Sequence, residues 1–222
     1  MNPTTLKFRD LPSTLPLFPL PSALLLPGSQ LPLNIFEPRY LAMIEDALQT
    51  PERMIGIVQP INNDGTLFDV GCGGRISYFQ ENGDGRYMIA LTGICRFMLQ
   101  AEKLTDRGYR CATIDWGRFA DDLKSSDDKI ADREKLLNVM KKYFSVMGFE
   151  ADWGQIEQSG NEQIMNTLAA VCPFDVAEKQ ALLEAQGLKK RADLLIAIMA
   201  LSARHMLAGA GQIEAFWNRP LP

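Results

Sequence analysis

The side chains best suited to metal binding or nucleophilic chemistry are few and widely spaced. The 222-residue chain has a single histidine, His205, and four cysteines that form no C-x-x-C pair: Cys72, Cys95, Cys111 and Cys172. A zinc site or a disulfide framework needs closer and more regular spacing. The pattern predicts reduced, mostly buried thiols in a cytosolic protein. We interpret His205, near the end of a predicted helix, as structural.

The glycine-rich stretch GCGGR, residues 71–75, is the nearest approach to a phosphate-binding loop. It lacks the G-x-x-x-x-G-K-[ST] spacing and lies between strand-like segments, whereas a phosphate-binding loop precedes a helix. Glycines inside a strand pattern are typical of a bulge or a tight bend. We predict that this stretch bends a sheet.

Neighbouring acids could in principle act as an acid–base pair or bind a cation. The adjacent pairs Asp121/Asp122 and Asp127/Asp128 fall in a polar stretch, GRFADDLKSSDD, and lack the ligand spread of a calcium loop. We interpret them as a solvated hinge. No G-x-S-x-G motif is present, although a serine–lysine pair has no universal spacing. We predict no catalytic residue, no metal and no cofactor, and thus no enzyme; a small carboxylate enzyme is the hypothesis of last rank.

Charge and hydropathy bear on partners and location. The formal net charge is −4 and the pI about 5.1, which opposes binding to a phosphate backbone unless one face concentrates the basic residues. The best basic cluster, KKR at 189–191, is typical of a solvated helix face. The longest purely apolar run, residues 194–201, is far short of the roughly 20 that span a bilayer. We predict a cytoplasmic protein that binds neither membrane nor, in the leading hypothesis, nucleic acid.

The elements that would position any site divide the chain into two kinds of segment. Residues 15–116 alternate β-rich runs with turns, and NNDG and NGDG are hairpin signals. Pro27-Gly28 predicts a tight turn that makes ALLL and QLPLNIF neighbouring extended segments. EPRYLAMIEDAL changes to helical period, with Pro38 at a first helical position. This half reads as a mostly antiparallel sheet or barrel with one short helix.

The remainder is predicted to be helical. Residues 1–14 form an N-terminal extension, 117–128 a linker, 129–209 a helical bundle and 210–222 a C-terminal tail. In the bundle, apolar residues recur on one helix face: Leu136, Met140, Phe144 and Met147. Asp175 and Glu178 have capping-box spacing, Gly187 is a natural stop, and the last helix ends before Gly209.

The N-terminal motifs resemble the N-terminal substrate-binding domain of the Lon protease family. That family has an L-P-L-F-P-L start, a P-G turn, an L-P-L-x-I-F strand and an E-x-R-Y helix start. The corresponding segments here are residues 15–20, 27–28, 31–36 and 37–40. Leu26, before the turn, departs from the family's frequent phenylalanine.

Two later segments extend the resemblance over most of residues 15–205. GRYMIALTGICRF, 85–97, is similar to the family's G-R-x-x-I-x-x-x-G-x-x-R-F strand, and NTLAAVCPFDVAEKQALLE resembles its helix, proline link and E-K-Q-x-L-L-E helix. The resemblance implies an α+β fold: a PUA-like, mostly antiparallel β-barrel with a short helix, followed by a C-terminal helical bundle. The sequence shows no phosphate-binding loop, so we expect a stand-alone member without the ATPase and peptidase parts.

The resemblance implies a non-enzymatic module that binds unfolded or apolar polypeptide segments. The prolines supply a physical reason, because they can leave apolar side chains and backbone groups exposed at a sheet edge, where a bound chain can use both. The sequence does not decide whether the protein has a partner protease or chaperone, or whether it forms homo-oligomers. An RNA-binding PUA-like protein or a specific adaptor for one partner protein are the alternatives. The predicted contact residues are Phe36, Arg39, Tyr40, Arg75 and Phe97. The family-motif positions with an expected structural role are Pro19, Pro27, Gly28, Glu37, Gly93 and Arg96.

Overall fold

The computed structural model describes residues 7–62, 64–124 and 132–217, with side chains as far as Leu207 in the last helix. The pair Asp127/Asp128, the start of the predicted N-terminal extension and the end of the predicted tail lie outside these residues. The chain divides into two compact units: Met1–Asp127 with Ala169–Glu184, and Asp128–Leu168 with Ala185–Pro222. The first unit therefore takes in a segment from the half that was predicted to be a contiguous helical bundle.

The first unit is built on a six-stranded sheet. Its strands are β1 (Thr14–Pro19), β2 (Gln30–Ile35), β3 (Met54–Val58), β4 (Val70–Glu81), β5 (Tyr87–Leu104) and β6 (Arg110–Asp115). The order is β2-β5-β4-β3-β1-β6, with β6 also pairing to β5, so five strands form a ring of pairings and β2 lies outside it. Only β1–β3 is parallel. The mixed α+β class and the mostly antiparallel sheet are confirmed.

Helix α1 (Pro38–Leu48) follows β2 directly, as predicted. Pro38 occupies the first helical turn and Glu37 is the N-cap residue, without a side-chain cap hydrogen bond. One face of α1 is buried. Proline suits this position because its missing N–H would have no partner there.

The Pro27-Gly28 turn is confirmed, but the segment before it is not a strand. Ser29 N–H donates to the Leu26 carbonyl at 3.0 Å, and Gly28 has φ = 77°, the positive φ that glycine adopts without strain. Residues 23–26 (ALLL) pair with no strand, yet Leu24, Leu25 and Leu26 are buried. The predicted extended segment is thus buried without joining the sheet, so burial and not pairing sets its apolar composition.

The glycines of β4 let the sheet fold tightly around an aromatic core. A Cβ on Gly71 would lie 2.5 Å from the Phe97 ring, and one on Gly73 would lie 2.6 Å from the Trp116 ring. The register shifts between Gly73 and Gly74. A β-bulge therefore lies where the bend was predicted, but its extra residue is Ile94 of the partner strand β5, since Gly73 pairs with Cys95 and Gly74 with Gly93.

The predicted linker is instead part of the first unit. Residues Gly117–Leu123 form a 3₁₀ helix, here η2 after a short η1 (Phe8–Asp10), and Phe119 is buried. Asp122 accepts two hydrogen bonds from the Arg96 guanidinium, at 2.7 and 2.8 Å. The hinge interpretation was wrong for Asp122, because a carboxylate that pairs with a buried arginine does not need solvent.

Helix α5 (Val176–Glu184) completes the first unit. The predicted capping box is confirmed: Asp175 and Glu178 exchange backbone N–H to carboxylate bonds of 2.7 and 2.9 Å. Lys179 Nζ donates to the Ser22 carbonyl at 2.8 Å, and Gln180 Nε2 donates to the Val70 carbonyl at 3.1 Å. Both side chains are buried. These bonds attach α5 to the sheet, so this helix belongs to the first unit's core.

The second unit is helical. It contains α2 (Arg133–Met147), α3 (Trp153–Gln158), most of α4 (Asn161–Val171) and α6 (Gly187–Trp217). The predicted apolar face of α2 is buried at Leu136, Met140 and Phe144. Helix α6 continues through Gly209, so the predicted stop was wrong: glycine in a helix costs about 1 kcal/mol, which does not end a helix. Over the described residues, no helix is both long and apolar enough to cross a membrane.

Candidate functional site

The outer face is the exposed side of the three-stranded section formed by β2, β5 and β4. The register aligns Asn34 with Met88 and Gln80, and Pro32 with Ala90 and Tyr78. Side chains opposite each other in adjacent strands point to the same side of a sheet. Phe36 follows β2 on this side, where the Arg86 guanidinium lies 5.8 Å from its ring centre. We define the outer face by three large side chains: Phe36, Tyr78 and Met88.

These three side chains are unusually exposed for their type. The exposed fractions are 62% for Phe36, 52% for Tyr78 and 38% for Met88. Single exposed apolar residues are common on protein surfaces, but a contiguous group is typical of an interaction site. The side chains around them, Pro32, Asn34 and Gln80, are also exposed and uncharged.

The opposite face of the same strands holds the outer face in position. Ile35, Ile89 and Leu91, which alternate with the outer-face residues, are almost fully buried. Tyr87 donates through its hydroxyl to Glu45 of α1 at 3.2 Å, and its ring meets Phe79 at a centroid distance of 5.0 Å. The opposite face is therefore packed at Ile35, Ile89 and Leu91, although Phe79 on that side is 39% exposed. Packing behind the outer face reduces the entropy lost when a ligand binds.

The two ends of the outer face carry arginines in different states. Arg86 pairs with Asp84 at 3.3 Å and covers Phe36. Arg75 lies opposite Thr92 on β5 and is half-buried, and its side chain makes no hydrogen bond or ion pair with any described residue. Ser77 and Thr92 lie beside it, with a 3.0 Å bond between their hydroxyls.

The edge of β2 is less available for pairing than the sequence predicted. Gly93 N–H donates to the Ser29 carbonyl at 2.9 Å, so by alternation the odd-numbered residues of β2 bond to β5 and the even-numbered ones face outward. Pro32 occupies the middle of that outward edge and has no N–H. Proline at such a position is a known protection against strand addition. The side chains of this section, more than its backbone, are thus available to a ligand.

The structure brings together two of the five predicted contact residues. Phe36 and Arg75 both lie on the outer face. Arg39 is exposed elsewhere, bonded to Glu37 at 2.8 Å and stacked 4.6 Å from the Tyr40 ring centre.

The other two predicted contact residues are buried. Tyr40 is 7% exposed and packs on Phe18, and burial raises its pKa. Phe97 is fully buried against Trp116, at a centroid distance of 5.7 Å. Both were placed on a surface because of their residue type, and both are corrected here to core residues.

The family-motif positions take part in the framework behind the outer face. Gly28 N–H donates to the Gly93 carbonyl at 2.9 Å, and a Cβ on Gly93 would lie 2.1 Å from the Leu26 carbonyl oxygen. Pro27 precedes Gly28 in the turn, and Pro19 ends β1 opposite Val58. Arg96 is 4% exposed and donates to Asp122 and to the Leu183 carbonyl at 2.8 Å. These contacts fix β2, β5, η2 and α5 within one unit.

Sequence reasoning missed Tyr78 and Met88. The segment ISYF in β4 contained a usable signal, because the consecutive Tyr78 and Phe79 must point to opposite faces of a strand. In the structure both are exposed, Tyr78 at 52% and Phe79 at 39%. How far each face of a strand is covered is set by the tertiary structure.

The thiols are poor candidates for chemistry. Burial, followed by the nearby Asp122 carboxylate, raises the pKa of Cys95 to about 12, and burial raises the pKa of Cys172 to about 11. A reactive cysteine needs a lowered pKa and some exposure. Among the described side chains, no three histidine, cysteine or acidic residues gather in a way that could hold a metal ion.

Comparison with known proteins gives a consistent family. The sequence model of the ATP-dependent protease La (LON) substrate-binding domain matches residues 14–200. Lon protease 2 of Myxococcus xanthus is 25% identical over 209 residues, covering 89% of this chain and 24% of that protein. Lon protease of Anaeromyxobacter dehalogenans (strain 2CP-C) has the same identity and coverage. The chain spans about a quarter of the length of the curated relatives it matches.

Solved structures agree with the sequence comparison. The crystal structure of a Lon N-terminal domain protein from Xanthomonas campestris has a TM-score of 0.62 and 26% identity, and covers 83% of this chain and 97% of its own. The N-terminal domain of a Mycobacterium avium complex Lon protease has a TM-score of 0.59 at 15% identity, covering 84% and 98%. The second likeness concerns the fold alone.

Proposed function

Because the chain belongs to the Lon substrate-binding domain family, we propose that it is a non-enzymatic module that binds unfolded polypeptide segments on the outer face. The observation that supports this most directly is the exposure of Phe36, Tyr78 and Met88 on strands whose other side buries Ile35, Ile89 and Leu91. An unfolded polypeptide is a ligand of matching chemistry, because it exposes the apolar side chains that a folded protein buries.

The affinity expected of such a surface is modest. Fully burying one large apolar side chain stabilises by about 1.5–3 kcal/mol, and three of them are available. An unfolded client loses conformational entropy as it is ordered on the surface, which offsets part of this gain. A Kd on the order of micromolar, near −8 kcal/mol, is the expected result, with contacts to the polar side chains around the three apolar groups contributing what burial of those groups alone does not supply.

Side-chain contacts, rather than strand addition, carry the binding in this proposal. The outward edge of β2 offers the backbone donors of Gln30 and Asn34, with Pro32 between them. A pairing strand would meet an interruption at its centre. We therefore expect that a client can bind in more than one alignment with β2, and that segments rich in apolar residues bind most tightly.

A fluorescence anisotropy titration tests the proposal. The labelled ligand is a permanently unfolded apolar polypeptide, and a folded protein of the same net charge is the control ligand. We expect saturable micromolar binding of the unfolded chain alone. The absence of binding up to about 100 micromolar, near −5.5 kcal/mol, would contradict the proposal.

Matched variants locate the surface. The double variant Phe36→Ala/Met88→Ala should weaken binding at least tenfold, since it removes two of the three exposed apolar groups. Leu104→Ala is the control, because Leu104 is 71% exposed at the far end of β5. If Leu104→Ala weakened binding as much as the double variant, the site would not be the outer face.

A further inference from the structure

Arg75 is the one charged group of the outer face for which the structure shows no partner among the described residues. Arg75 is half-buried, and its side chain has no hydrogen bond, ion pair or ring contact there. Arg86, at the other end, already has Asp84 and Phe36 as partners. An arginine in partial shelter from solvent interacts more strongly with an anion than a fully exposed one does.

The surroundings of Arg75 favour an anion over a cation. Its neighbours across the two adjoining strands are Thr92 and Met54, neither of which has a negative charge. Gln30 is exposed opposite Thr92, so its amide lies on the same part of the sheet. The hydroxyls of Thr92 and Ser77 already donate, to Ser77 Oγ and to the Ala90 carbonyl, so the donors available to a carboxylate are the Gln30 amide and the Arg75 guanidinium, which binds a carboxylate in a two-pronged geometry.

The distance from Arg75 to the apolar groups determines how far apart the carboxylate and the apolar side chain of a ligand must be. Thr92, opposite Arg75, is four residues along β5 from Met88, which is roughly 13 Å at about 3.3 Å per residue. Phe36, beside Arg86, is two residues further. An extended peptide covers the same span in about four residues.

We propose that the outer face prefers apolar polypeptide segments that carry a carboxylate about four residues from a large aliphatic or aromatic side chain, with Arg75 binding the carboxylate. This rests on the proposed function and adds a chemical requirement to it. The carboxylate can belong to an aspartate or glutamate side chain or to the C-terminus of the polypeptide, since Arg75 would bind either group in the same way.

Three labelled peptides with one shared apolar sequence test the requirement by anisotropy. The first ends in a free carboxylate, the second in an amide, and the third is amidated and has a glutamate four residues from its aromatic residue. We expect the wild-type protein to bind one or both carboxylate peptides about tenfold more tightly than the neutral amide, the size typical of a charge-assisted hydrogen-bond pair. Which of the two binds more tightly identifies the source of the carboxylate.

Substitutions assign the effect to Arg75. Arg75→Gln should abolish the difference between the carboxylate peptides and the neutral amide, and Arg75→Lys should retain part of it. Arg9→Gln is the control, because Arg9 lies in η1, outside the outer face. Equal binding of all three peptides by the wild-type protein, or a preference that persists in Arg75→Gln, would overturn the inference. Failure of every peptide to bind would instead refute the proposed function itself.

Discussion

The two halves of β4 differ in burial and in the size of their side chains. Residues 70–74, VGCGG, are buried and lie close to the rings of Phe97 and Trp116, while residues 77–81, SYFQE, are exposed. Small residues in the first half let aromatic rings approach the backbone, and large residues in the second half face solvent. Stability should therefore depend on the first half and ligand binding on the second.

The largest expected effect is on the aromatic core of the first half. Phe97→Ala should lower the free energy of unfolding by about 3–5 kcal/mol, because it leaves a cavity beside Gly71 and Trp116. Urea unfolding followed by tryptophan fluorescence measures this. A loss below about 1 kcal/mol would indicate that the ring is not the core residue described here.

The next effect comes from adding a single methyl group. Gly71→Ala should destabilise by about 3 kcal/mol, since the new Cβ would lie 2.5 Å from the Phe97 ring and 2.7 Å from the Ile57 carbonyl oxygen. Gly83→Ala is the matched control, because its added methyl carbon would have no heavy atom within 4 Å beyond its chain neighbours. Equal unfolding free energies for the two variants would contradict the close packing of the buried half.

Alkaline pH should act on the buried half through Cys95, which pairs with Gly73 in the sheet. Burial raises its pKa from 9.0 to about 12, so the unfolded state releases this proton first. The stabilising contribution is complete below pH 9 and is lost as the pH rises toward 12, by roughly 1 kcal/mol per pH unit. Unfolding free energies between pH 8 and 11 should fall less steeply for Cys95→Ala than for the wild type, and parallel curves would contradict this.

The smallest effect on stability is expected at Phe36, which follows β2 on the outer face. Phe36→Ala should change the unfolding free energy by less than about 0.5 kcal/mol, because the ring is 62% exposed. Chemical denaturation measures this with the same probe as for Phe97→Ala. A loss approaching that of Phe97→Ala would mean that Phe36 is a packing residue and would remove the contrast between the two halves.

The local features of the fold were predictable because each depends on a few adjacent residues. The Pro27-Gly28 turn, the sheet irregularity opposite GCGGR and the Asp175–Glu178 capping box all follow from the conformations, small side chains or hydrogen bonds of residues close together in sequence. Their positions in the structure agree with the prediction.

The environment of individual aromatic residues was not predictable in the same way. Phe36 and Phe97 are chemically identical, yet one is exposed and the other is fully buried. The difference depends on which strands cover each ring, and strand order brings together residues distant in sequence. Asp122 illustrates the same point, since its partner Arg96 is 26 residues away.

The attachment of α5 to the sheet has a consequence for synthesis of the chain. The last strand, β6, ends at Asp115. Lys179 and Gln180, which come much later in the chain, donate hydrogen bonds to the carbonyls of Ser22 and Val70 in the first unit. A ribosome adding about 5–20 residues per second needs roughly 3 to 12 seconds to pass from the end of η2 to the end of α5. During that interval the nascent sheet lacks one of its covering helices, so co-translational folding of the first unit should finish only after much of the second unit has been made.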